Sequence, residues 1–385
     1  INADFLESAQ MTDSHVMPLA RFKVWLEENK NKTELKIEEI KFNEMEHWYF
    51  EPQSDNIVHE SGRFFSITGV HVKTNWGNVP EWTQPIINQP EIGFLGIIAK
   101  RFHGILHFLM QAKIEPGNIN AVQVSPTLQA TKSNYMQVHE GNAPNYLEYF
   151  TRRRPGTRIL LDQLQSEQGA RFLKKRNRNI IIETTEDIEV LGQFCWLTLG
   201  QIKTLIHDDN IVNMDTRTVI SGIPCIPLET VSPRQSYNSA FLHSIQMEKG
   251  LNETDELVSW VTDQKSKYDL DVERIALNRV RRWERDDWAI YHEEKKYFSI
   301  IAVRAEIGNR EIQSWTQPLF KSAQEGISAF ITKFINGTLH FLVQAKLEAG
   351  NFDIIELAPT VQCLTGNYRK GLNEYEVHFL QYVLE

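Results

Sequence analysis

Residues 105–115 show the clearest alternation of apolar and polar positions in the chain. A period of two is typical of a β-strand that has one buried face. The predicted apolar face comprises Leu106, Phe108, Met110, Ala112 and Ile114. The opposite face comprises His107, Leu109, Gln111, Lys113 and Glu115. Because Pro, Gly and Asn follow at 116–118, the pattern predicts that the strand ends at Glu115 in a turn.

Apolar spacing typical of short amphipathic helices occurs at 24–30 and again at 257–264. We also expect helical stretches at 161–175 and 197–207. Most of the remaining sequence predicts strands that are separated by Gly, Pro and Asn. The chain is therefore predicted to have an α+β fold.

The strand pattern returns 233 residues later in the chain. Residues 339–346 repeat residues 106–113 with a single change, and 315–318 repeat the Trp-Thr-Gln-Pro of 82–85. Over residues 104–135, 16 of 32 positions are identical to those 233 residues later. Two unrelated segments would share only a few identities. The sequence therefore predicts one module that is present in two copies.

The two copies divide the chain into three predicted parts. We expect an N-terminal mixed-sheet module at 1–150 and its repeat, a C-terminal module, at 236–385. A helical connector at 151–235 is expected to join them and to complete the ligand pocket. A period of this length indicates two domains rather than a solenoid, and the connector is too long to be an unstructured loop.

Composition narrows the class of protein. Of the 385 residues, 41% are hydrophobic and 24% are charged, which suffices for a sizeable core. No run of about 18 apolar residues occurs, so no membrane span is expected. The three cysteines show no CxxC spacing, which argues against a disulfide framework or a thiolate zinc site and favours a cytoplasmic location. The net charge of −9 argues against nucleic-acid binding.

Lys113 and Glu115 form the first candidate for chemistry. They lie two positions apart on one strand face, so an ammonium donor and a carboxylate base can converge on one ligand. The same His, Gln, Lys and Glu recur in the second copy. Tyr135, in a repeated Asn-Tyr pair, could add a phenolic donor. The alternatives are an ordinary ion pair, a solvated strand face and a tyrosine packed in the core.

A basic segment interrupts the acidic chain at 152–178, where nine Lys or Arg residues occur with only two acidic residues. Guanidinium groups bind polyanions in a bidentate manner, so one interpretation is a site for a nucleotide diphosphate. A solvated helix face is the usual meaning of such a run, and nucleic acid is a third alternative. Residues 209–217 predict a loop that could hold a base or ribose, or cap a helix.

Several common enzyme motifs are absent from the sequence. It contains no GxGxxG after a predicted strand, no GxxxxGK[ST], no HExxH and no GxSxG. Dinucleotide oxidoreductases, P-loop NTPases, zincins and α/β-hydrolases therefore have no motif support. The histidines are dispersed without metal-ligand spacing, so no metal site is expected.

Six runs of residues resemble the NDP-hexose 2,3-dehydratases of deoxysugar biosynthesis. These runs lie at 107–118, 124–131, 133–135, 162–169, 175–179 and 212–217. The resemblance spans nearly the whole chain and implies two duplicated Nudix-like modules and a homodimer. The chain lacks the Glu-rich Nudix box that binds metal for pyrophosphate cleavage, which disfavours hydrolysis.

The resemblance also implies a reaction. The substrate would be dTDP-4-keto-6-deoxy-D-glucose, whose C4 ketone acidifies the C3 hydrogen. A base would remove that hydrogen, donors would stabilise the enolate oxygen at C4, and the C2 hydroxyl would leave with acid assistance. No cofactor is required. The product, a 3,4-diketo-2,6-dideoxy sugar, would pass to a 3-ketoreductase.

The resemblance leads to specific residue assignments. We predict Glu115 as the base and Lys113 with Tyr135 as donors to the enolate, and we expect His107 to assist departure of the hydroxyl. The predicted substrate-binding residues are Trp82, Gln84, Gln111, Thr127, Gln129, Ser133, Asn134, His139, Tyr149, Arg152, Arg154, Arg176, Asn213 and Arg217. The predicted second pocket comprises Gln344, Lys346, Glu348, Asn367 and Tyr368.

The first copy is favoured as the catalytic one, because its Asn-Tyr pair leads into the basic segment whereas the second pair leads to the chain end. The second copy would then bind nucleotide without turnover. Two other classes of function remain open. One is a nucleotide-sugar binding protein without chemistry, and the other is a Nudix-type sugar-nucleotide hydrolase.

Overall fold

A computed structural model describes residues 1–32, 35–131, 143–152, 154–224, 226–227, 229–233, 236–307, 314–364 and 377–385. The helices in these ranges are α1 (Asn2–Gln10), α2 (Leu19–Asn31), α3 (Glu148–Thr151), α4 (Leu199–Leu205), α5 (Met214–Ser221), α6 (Tyr237–Gln246), α7 (Thr254–Lys267) and α8 (Gln381–Leu384). Short 3-10 helices lie at Phe42–Glu44 and Leu277–Arg279.

The first eleven strands are β1 (Leu35–Ile40), β2 (Trp48–Phe50), β3 (Ile57–His59), β4 (Ser66–Thr74), β5 (Glu81–Asn88), β6 (Gly93–Phe102), β7 (Ile105–Ile114), β8 (Val122–Ser125), β9 (Leu128–Ala130), β10 (Thr157–Ser166) and β11 (Arg176–Thr184). The others are β12 (Phe194–Thr198), β13 (Leu270–Ile275), β14 (Trp283–Arg285), β15 (Ala289–His292), β16 (Phe298–Ile307), β17 (Ser314–Ser322), β18 (Gly326–Ala329), β19 (Ile331–Ile335), β20 (Thr338–Lys346), β21 (Glu356–Pro359) and β22 (Val361–Leu364). The predicted α+β class is confirmed.

The order of elements in the first copy recurs in the second. Helix α2, strand β1, a 3-10 helix and strands β2 to β5 are followed later by α7, β13, a 3-10 helix and β14 to β17. The predicted helices at 24–30 and 257–264 lie within α2 and α7, and the predicted strand at 105–115 is β7. Asn118 N donates to Glu115 O at 3.0 Å, which confirms the turn after β7.

The predicted helix at 161–175 is wrong, because this part of the chain forms the end of β10 and the connection to β11. A β-bulge between Ile159 and Leu161 explains the error. It interrupts the alternation of β10, so Leu160 and Leu161 both pack against the same core cluster. Two adjacent apolar residues on one face imitate helical spacing. In the predicted helix at 197–207, only the residues of α4 are helical.

The connector is therefore not mainly helical, since three of its strands join the sheet of the first copy. The order of this seven-stranded sheet is β10-β11-β6-β7-β12, with β8 paired to β7 and β9 paired to β6. The β11–β6 pair is parallel, and the other pairs are antiparallel. Equivalent strands of the second copy form smaller sheets, β19-β20-β21 and β18-β22.

The two copies exchange their first strands. Strand β1 of the first copy pairs with β16 of the second, with Lys36 opposite Glu306. Strand β13 of the second copy pairs with β4 of the first, with Asp271 opposite Lys73. Each five-stranded sheet, β1-β16-β15-β14 with β17 and β13-β4-β3-β2 with β5, is thus built from both copies.

Apolar side chains of both copies share one core cluster. Ile57 and Ile67 from the first copy lie in the same cluster as Ile300 and Ala302 from the second. A separate cluster receives the even-numbered side chains of β7, together with side chains of α1, α2, α4 and α5. Leu109, on the other face of β7, packs in a third cluster with Tyr146 and Trp196. Both faces of β7 are therefore covered along its central part.

Candidate functional site

Strands β6 and β7 separate at a fork that Thr127 occupies. The two strands pair from Ile98 and Leu109 toward their connecting turn, and beyond that point β6 pairs with β9 and β7 with β8. The Thr127 hydroxyl accepts a hydrogen bond from Ile98 N at 3.0 Å and donates one to Leu109 O. Thr127, predicted to bind substrate, is buried and engaged by backbone on both sides of the fork.

Three of the predicted residues meet inside this fork. The Lys113 ammonium donates to Gln129 O at 3.3 Å and lies 3.4 Å from Glu115 Oε1. The Gln129 side-chain amide donates to the same carboxylate oxygen at 2.7 Å. The Lys113 side chain is 15% exposed and that of Glu115 is 34% exposed. The predicted convergence of an ammonium and a carboxylate is therefore present, and an amide fixes the carboxylate.

The connector reaches this cluster through Asn213, the N-cap of α5. Backbone hydrogen bonds join Val124 of β8 to Ile211 and Asn213, which brings the start of α5 beside the fork. Asn213 Oδ1 accepts from Thr216 N at 2.8 Å, and Asn213 Nδ2 donates to Gln129 Oε1 at 3.1 Å. Residues 209–217 thus cap a helix, which is one of the two alternatives open from the sequence.

Asp215 is a residue of this site that the sequence did not single out. It is half-buried in the first turn of α5. Desolvation raises its pKa to about 7, and the nearby Glu115 and Glu167 carboxylates act in the same direction, while Lys113 opposes them. The capped helix start at Asn213 with an acid two residues later was the only sequence signal for it.

A second group of polar residues approaches from the β10–β11 connection. Burial raises the pKa of Glu167, against the effect of Lys175 and of the Asn177 amide, which donates to Glu167 Oε1 at 2.5 Å. The Arg176 guanidinium lies 4.1 Å from the centre of the Phe352 ring of the second copy. Among the described residues, none accepts a hydrogen bond from the buried Arg176 Nε.

His107 lies at the opposite end of β7. It is six positions from Lys113, which corresponds to about 20 Å along a strand. Its Nδ1 lies 3.0 Å from Ile105 O, which can only accept, so Nδ1 is the protonated nitrogen and Nε2 accepts from the Ser14 hydroxyl at 2.7 Å. Burial lowers the pKa of the imidazole. The structure does not bring His107 to the Lys113–Glu115 pair.

Tyr149 and Arg154 also lie at the His107 end of the sheet. Both contact Glu186, with the Tyr149 hydroxyl at 3.3 Å and Arg154 Nη2 at 3.0 Å. The backbone oxygen of Glu186 accepts from Lys100, the residue opposite His107 in β6.

Other predicted site residues lie apart from the fork or outside the residues that the structure describes. Arg152 and Arg217 are exposed to solvent, and Gln111 is half-buried between Ser125 and Phe194 in register. Six predicted site residues lie outside the described residues: Ser133, Asn134, Tyr135, His139, Asn367 and Tyr368.

The second copy has the same fork and a large cavity beside it. Lys346 Nζ donates to Gln362 O at 3.3 Å and lies 3.0 Å from Glu348 Oε1. A cavity of about 980 Å³ is lined by Gln344, Lys346 and Glu348. Trp82 and Gln84 of the first copy line the same cavity, and Trp82 Nε1 donates to Gln84 Oε1 at 2.9 Å. The structure thus groups these two predicted residues with the second pocket.

Arg171 is the basic residue of the connector that faces this cavity. Its guanidinium lies 4.1 Å from the centre of the Phe298 ring and donates to Ala170 O at 3.1 Å. Burial lowers its pKa to about 10, and the Glu348 carboxylate opposes this change. By contrast, Arg158 pairs with Glu183 and Arg178 pairs with Asp162, both at 2.6 Å. This part of the basic segment therefore forms ion pairs between β10 and β11.

Two kinds of feature are absent from the described residues. No three His, Cys, Asp or Glu side chains there converge as metal ligands would. No helix in this part of the chain is both long and apolar enough to cross a membrane.

Comparison with known proteins gives a consistent result. Residues 19–223 and 254–385 match the family model described as NDP-hexose 2,3-dehydratase. A protein of Saccharopolyspora spinosa is 44% identical over 387 aligned positions, which cover 99% of this chain and 79% of that protein. A protein of Amycolatopsis orientalis is 43% identical, over 98% of this chain and 77% of its own length. A protein of Streptomyces violaceoruber is 46% identical, over 91% and 78%. All three are named dTDP-4-dehydro-6-deoxy-alpha-D-glucopyranose 2,3-dehydratase.

Proposed function

Since the chain belongs to the NDP-hexose 2,3-dehydratase family, we propose that it removes water across C2 and C3 of dTDP-4-keto-6-deoxy-D-glucose. The observation that carries this proposal is the Lys113–Glu115–Gln129 cluster in the fork. Elimination beside a ketone needs a base at C3 and a cationic donor at the C4 oxygen. The cluster supplies one of each on partly exposed side chains, and the product is the 3,4-diketo-2,6-dideoxy sugar.

Glu115 is the proposed base and Lys113 the proposed enolate donor. The Gln129 amide occupies one oxygen of the Glu115 carboxylate, which leaves the other for the C3 hydrogen. The ammonium of Lys113 lies close enough to interact with both Glu115 and a ligand oxygen in the fork. Tyr135 remains the proposed second donor to the enolate.

We assign this chemistry to the first copy. Its fork receives Asn213 and Asp215 from the connector, which occurs once in the chain. Asn213 donates a hydrogen bond to the Gln129 side chain, which in turn donates one to Glu115. Gln362 is the counterpart of Gln129. Among the described residues, its hydrogen bond is the one that its backbone oxygen accepts from Lys346. The difference in carboxylate support favours turnover at Glu115 over turnover at Glu348.

The second copy is proposed to bind a sugar nucleotide without turnover. Its cavity combines Arg171, a half-buried cation suited to a phosphate, with Trp82, a surface on which a base can stack. The volume of about 980 Å³ is at the upper end for small-molecule sites.

Three further parts of the proposal follow from the family. In the division into 1–150, 151–235 and 236–385, the first and last parts are proposed to be Nudix-like modules, and the recurring order of elements supports their duplication. The active protein is proposed to be a homodimer located in the cytoplasm. Because a 3,4-diketone is reactive, a 3-ketoreductase is proposed to consume the product.

The test is incubation of the full-length protein with the 4-keto sugar nucleotide in deuterated buffer without added metal. We expect proton NMR to show exchange at C3 and loss of the C2 hydroxyl. Glu115→Gln should lower the rate of dehydration by about 10³-fold, within the range for loss of a general base. Glu348→Gln, the matched change in the second copy, should retain most of the activity.

Each competing function has a distinct outcome in this experiment. Tight binding without C3 exchange would indicate a binding protein. Release of nucleoside monophosphate in a parallel incubation with added Mg²⁺, but not without it, would indicate a hydrolase. Full dehydration by Glu115→Gln together with its loss in Glu348→Gln would overturn the assignment to the first copy.

A further inference from the structure

The proposed elimination needs a proton for the departing C2 oxygen. Hydroxide is a poor leaving group, so the C2–O bond breaks more readily when an acid protonates the oxygen. Lys113 is required at the C4 oxygen and Glu115 at C3. His107, expected for this task, lies about 20 Å away along β7 and is held between Ser14 and Ile105. The acid must therefore come from elsewhere in the cluster.

Asp215 lies where such an acid is needed. It follows Asn213 by two residues in the first turn of α5, and Asn213 is connected through Gln129 to Glu115 at 3.1 and 2.7 Å. Lys113 and Glu115 from the end of β7, and Glu167 from the β10–β11 connection, are the charged groups that face it. Asp215 therefore lies close enough to Lys113, Glu115 and Glu167 for all three to act electrostatically on its carboxyl group.

The surroundings of Asp215 keep it in the acid form. Burial and the neighbouring Glu115 and Glu167 carboxylates raise its pKa to about 7, despite Lys113. Below that pH the group is a neutral carboxylic acid near the proposed base Glu115, and enzymes use such pairs to divide acid and base roles between two carboxyl groups. No hydrogen bond or ion pair with another described residue engages its carboxyl group.

We propose that Asp215 donates the proton to the departing C2 oxygen, an inference that rests on the proposed function. Glu115 takes the C3 proton, and the electron pair of that bond forms the enolate at C3, C4 and the C4 oxygen. The enolate pair then forms the C2–C3 double bond and restores the C4 ketone as the C2–O bond breaks. The Asp215 proton joins the leaving oxygen, which departs as water.

The same two groups return to their starting states during tautomerisation. The intermediate is an enol with its hydroxyl on C3. Protonated Glu115 returns its proton to C2, while the C3 hydroxyl gives its proton to the Asp215 carboxylate. The C3 ketone forms, and the base and the acid are both regenerated.

The experiment compares the natural substrate with its 2-deoxy-2-fluoro analogue, because fluoride leaves without a general acid. Asp215→Asn should lower loss of the C2 hydroxyl by about 10²-fold. It should leave C3 hydrogen exchange and fluoride release within about threefold of wild type. In wild type, the rate with the natural substrate should fall as pH rises through about 7, and fluoride release should lack this alkaline limb.

Asp255→Asn is the matched control, since Asp255 holds the same position in the first turn of α7 and is exposed. It should not change either reaction. Equal losses of hydroxyl and fluoride departure in Asp215→Asn, with thermal unfolding unchanged, would overturn the role of Asp215, as would full retention of hydroxyl loss. Absence of any elimination by the wild-type protein would instead refute the proposed function.

Discussion

The two ends of β7 show how burial decides what a polar side chain can do. Lys113 and Glu115 keep part of their surface accessible and contact each other. His107, on the same face of the strand, is 3% exposed and has both ring nitrogens engaged within the protein. A neutral imidazole with no free nitrogen cannot deliver a proton to a ligand. We therefore regard His107 as a residue that fixes Ser14 and the N-terminal segment to the sheet.

His107→Ala is expected to affect stability rather than chemistry. It leaves the Ser14 hydroxyl without its partner and opens a cavity, at a cost of about 2–4 kcal/mol in the free energy of unfolding. The dehydration rate at a temperature where the variant is folded should stay within about threefold of wild type. Urea denaturation and the NMR assay measure the two effects. A large loss of rate with unchanged stability would instead indicate that His107 takes part in the reaction.

The pH dependence of stability also reports on the protonation of His107. Because the pKa of folded His107 lies below the ordinary value of 6.5, the unfolded chain binds a proton there more readily. The contribution of the neutral imidazole is therefore complete above pH 6.5 and is lost as the pH falls below it. The free energy of unfolding of wild type should therefore decrease as the pH falls below 6.5, and that of His107→Ala should decrease less.

At the scale of elements, the exchange of β1 and β13 determines how the two copies are joined. Each strand completes the sheet of the other copy, so the sheets cannot separate without breaking a full ladder of backbone hydrogen bonds. The pairing is specific in register, and the residues at its solvent-facing positions can be used to detect it. Lys36 and Glu306 are opposite each other and both are exposed.

Cysteines at positions 36 and 306 are expected to form a disulfide within one chain. Opposed residues of antiparallel strands have Cα atoms about 4.5–5.5 Å apart, which suits an S–S bond. The control is a pair at 36 and 73, which would be opposite each other only if β1 paired with β4 of its own copy. Peptide mass spectrometry under non-reducing conditions measures both. A 36–73 disulfide without the 36–306 one would contradict the exchange.

Local patterns predicted the elements that depend on neighbouring residues. The alternation of β7 and the spacing of α2 and α7 were sufficient to predict these elements, because each pattern shows a single structural period over a short stretch of chain. The pattern failed at β10, where the bulge near Leu161 puts adjacent apolar residues on one face. The exchange could not be read from the sequence, because β1 and β13 are equivalent strands and each fits either sheet.

The candidate site likewise contains residues whose placement the sequence predicts and residues whose placement it does not. Lys113 and Glu115 were found because two residues of separation on a strand fix their proximity. Asn213 was named without its actual partner, since its bond to Gln129 joins positions 84 residues apart. Trp82 was assigned to the first pocket, and the structure places it on the cavity of the second copy because the two copies interlock.

At the scale of the whole molecule, the copies form one cooperative body. Their exchanged strands, their common cluster around Ile67 and Ile300, and the connector all cross between them. Gly350 N donates to Gly169 O, and Gly350 O accepts from Lys174 N, both at 2.7 Å, so the connector is also bonded to the second copy. Each five-stranded sheet and the cluster around Ile67 and Ile300 need both halves, whereas the seven-stranded sheet lies wholly within residues 1–235.

When chains comprising 1–235 and 236–385 are produced separately, their five-stranded sheets are expected not to form. Each would lack one strand of its five-stranded sheet and half of the shared cluster, and would expose apolar surface that is buried in the whole protein. Co-expression of both should yield a folded complex that dehydrates the substrate. Circular dichroism melting and size-exclusion chromatography measure the outcome. Cooperative melting of the 236–385 piece alone would contradict the interdependence.

Strand exchange has a consequence for how such a gene can evolve. Deleting the second half of the gene would remove β13 from the sheet of the first half, so natural selection on one active centre preserves the framework of both. The lining of the second cavity escapes that constraint, because β13 needs only its own ladder and core contacts. Lineages can therefore diverge in what the second cavity accepts while the reaction proposed for the first copy is inherited unchanged.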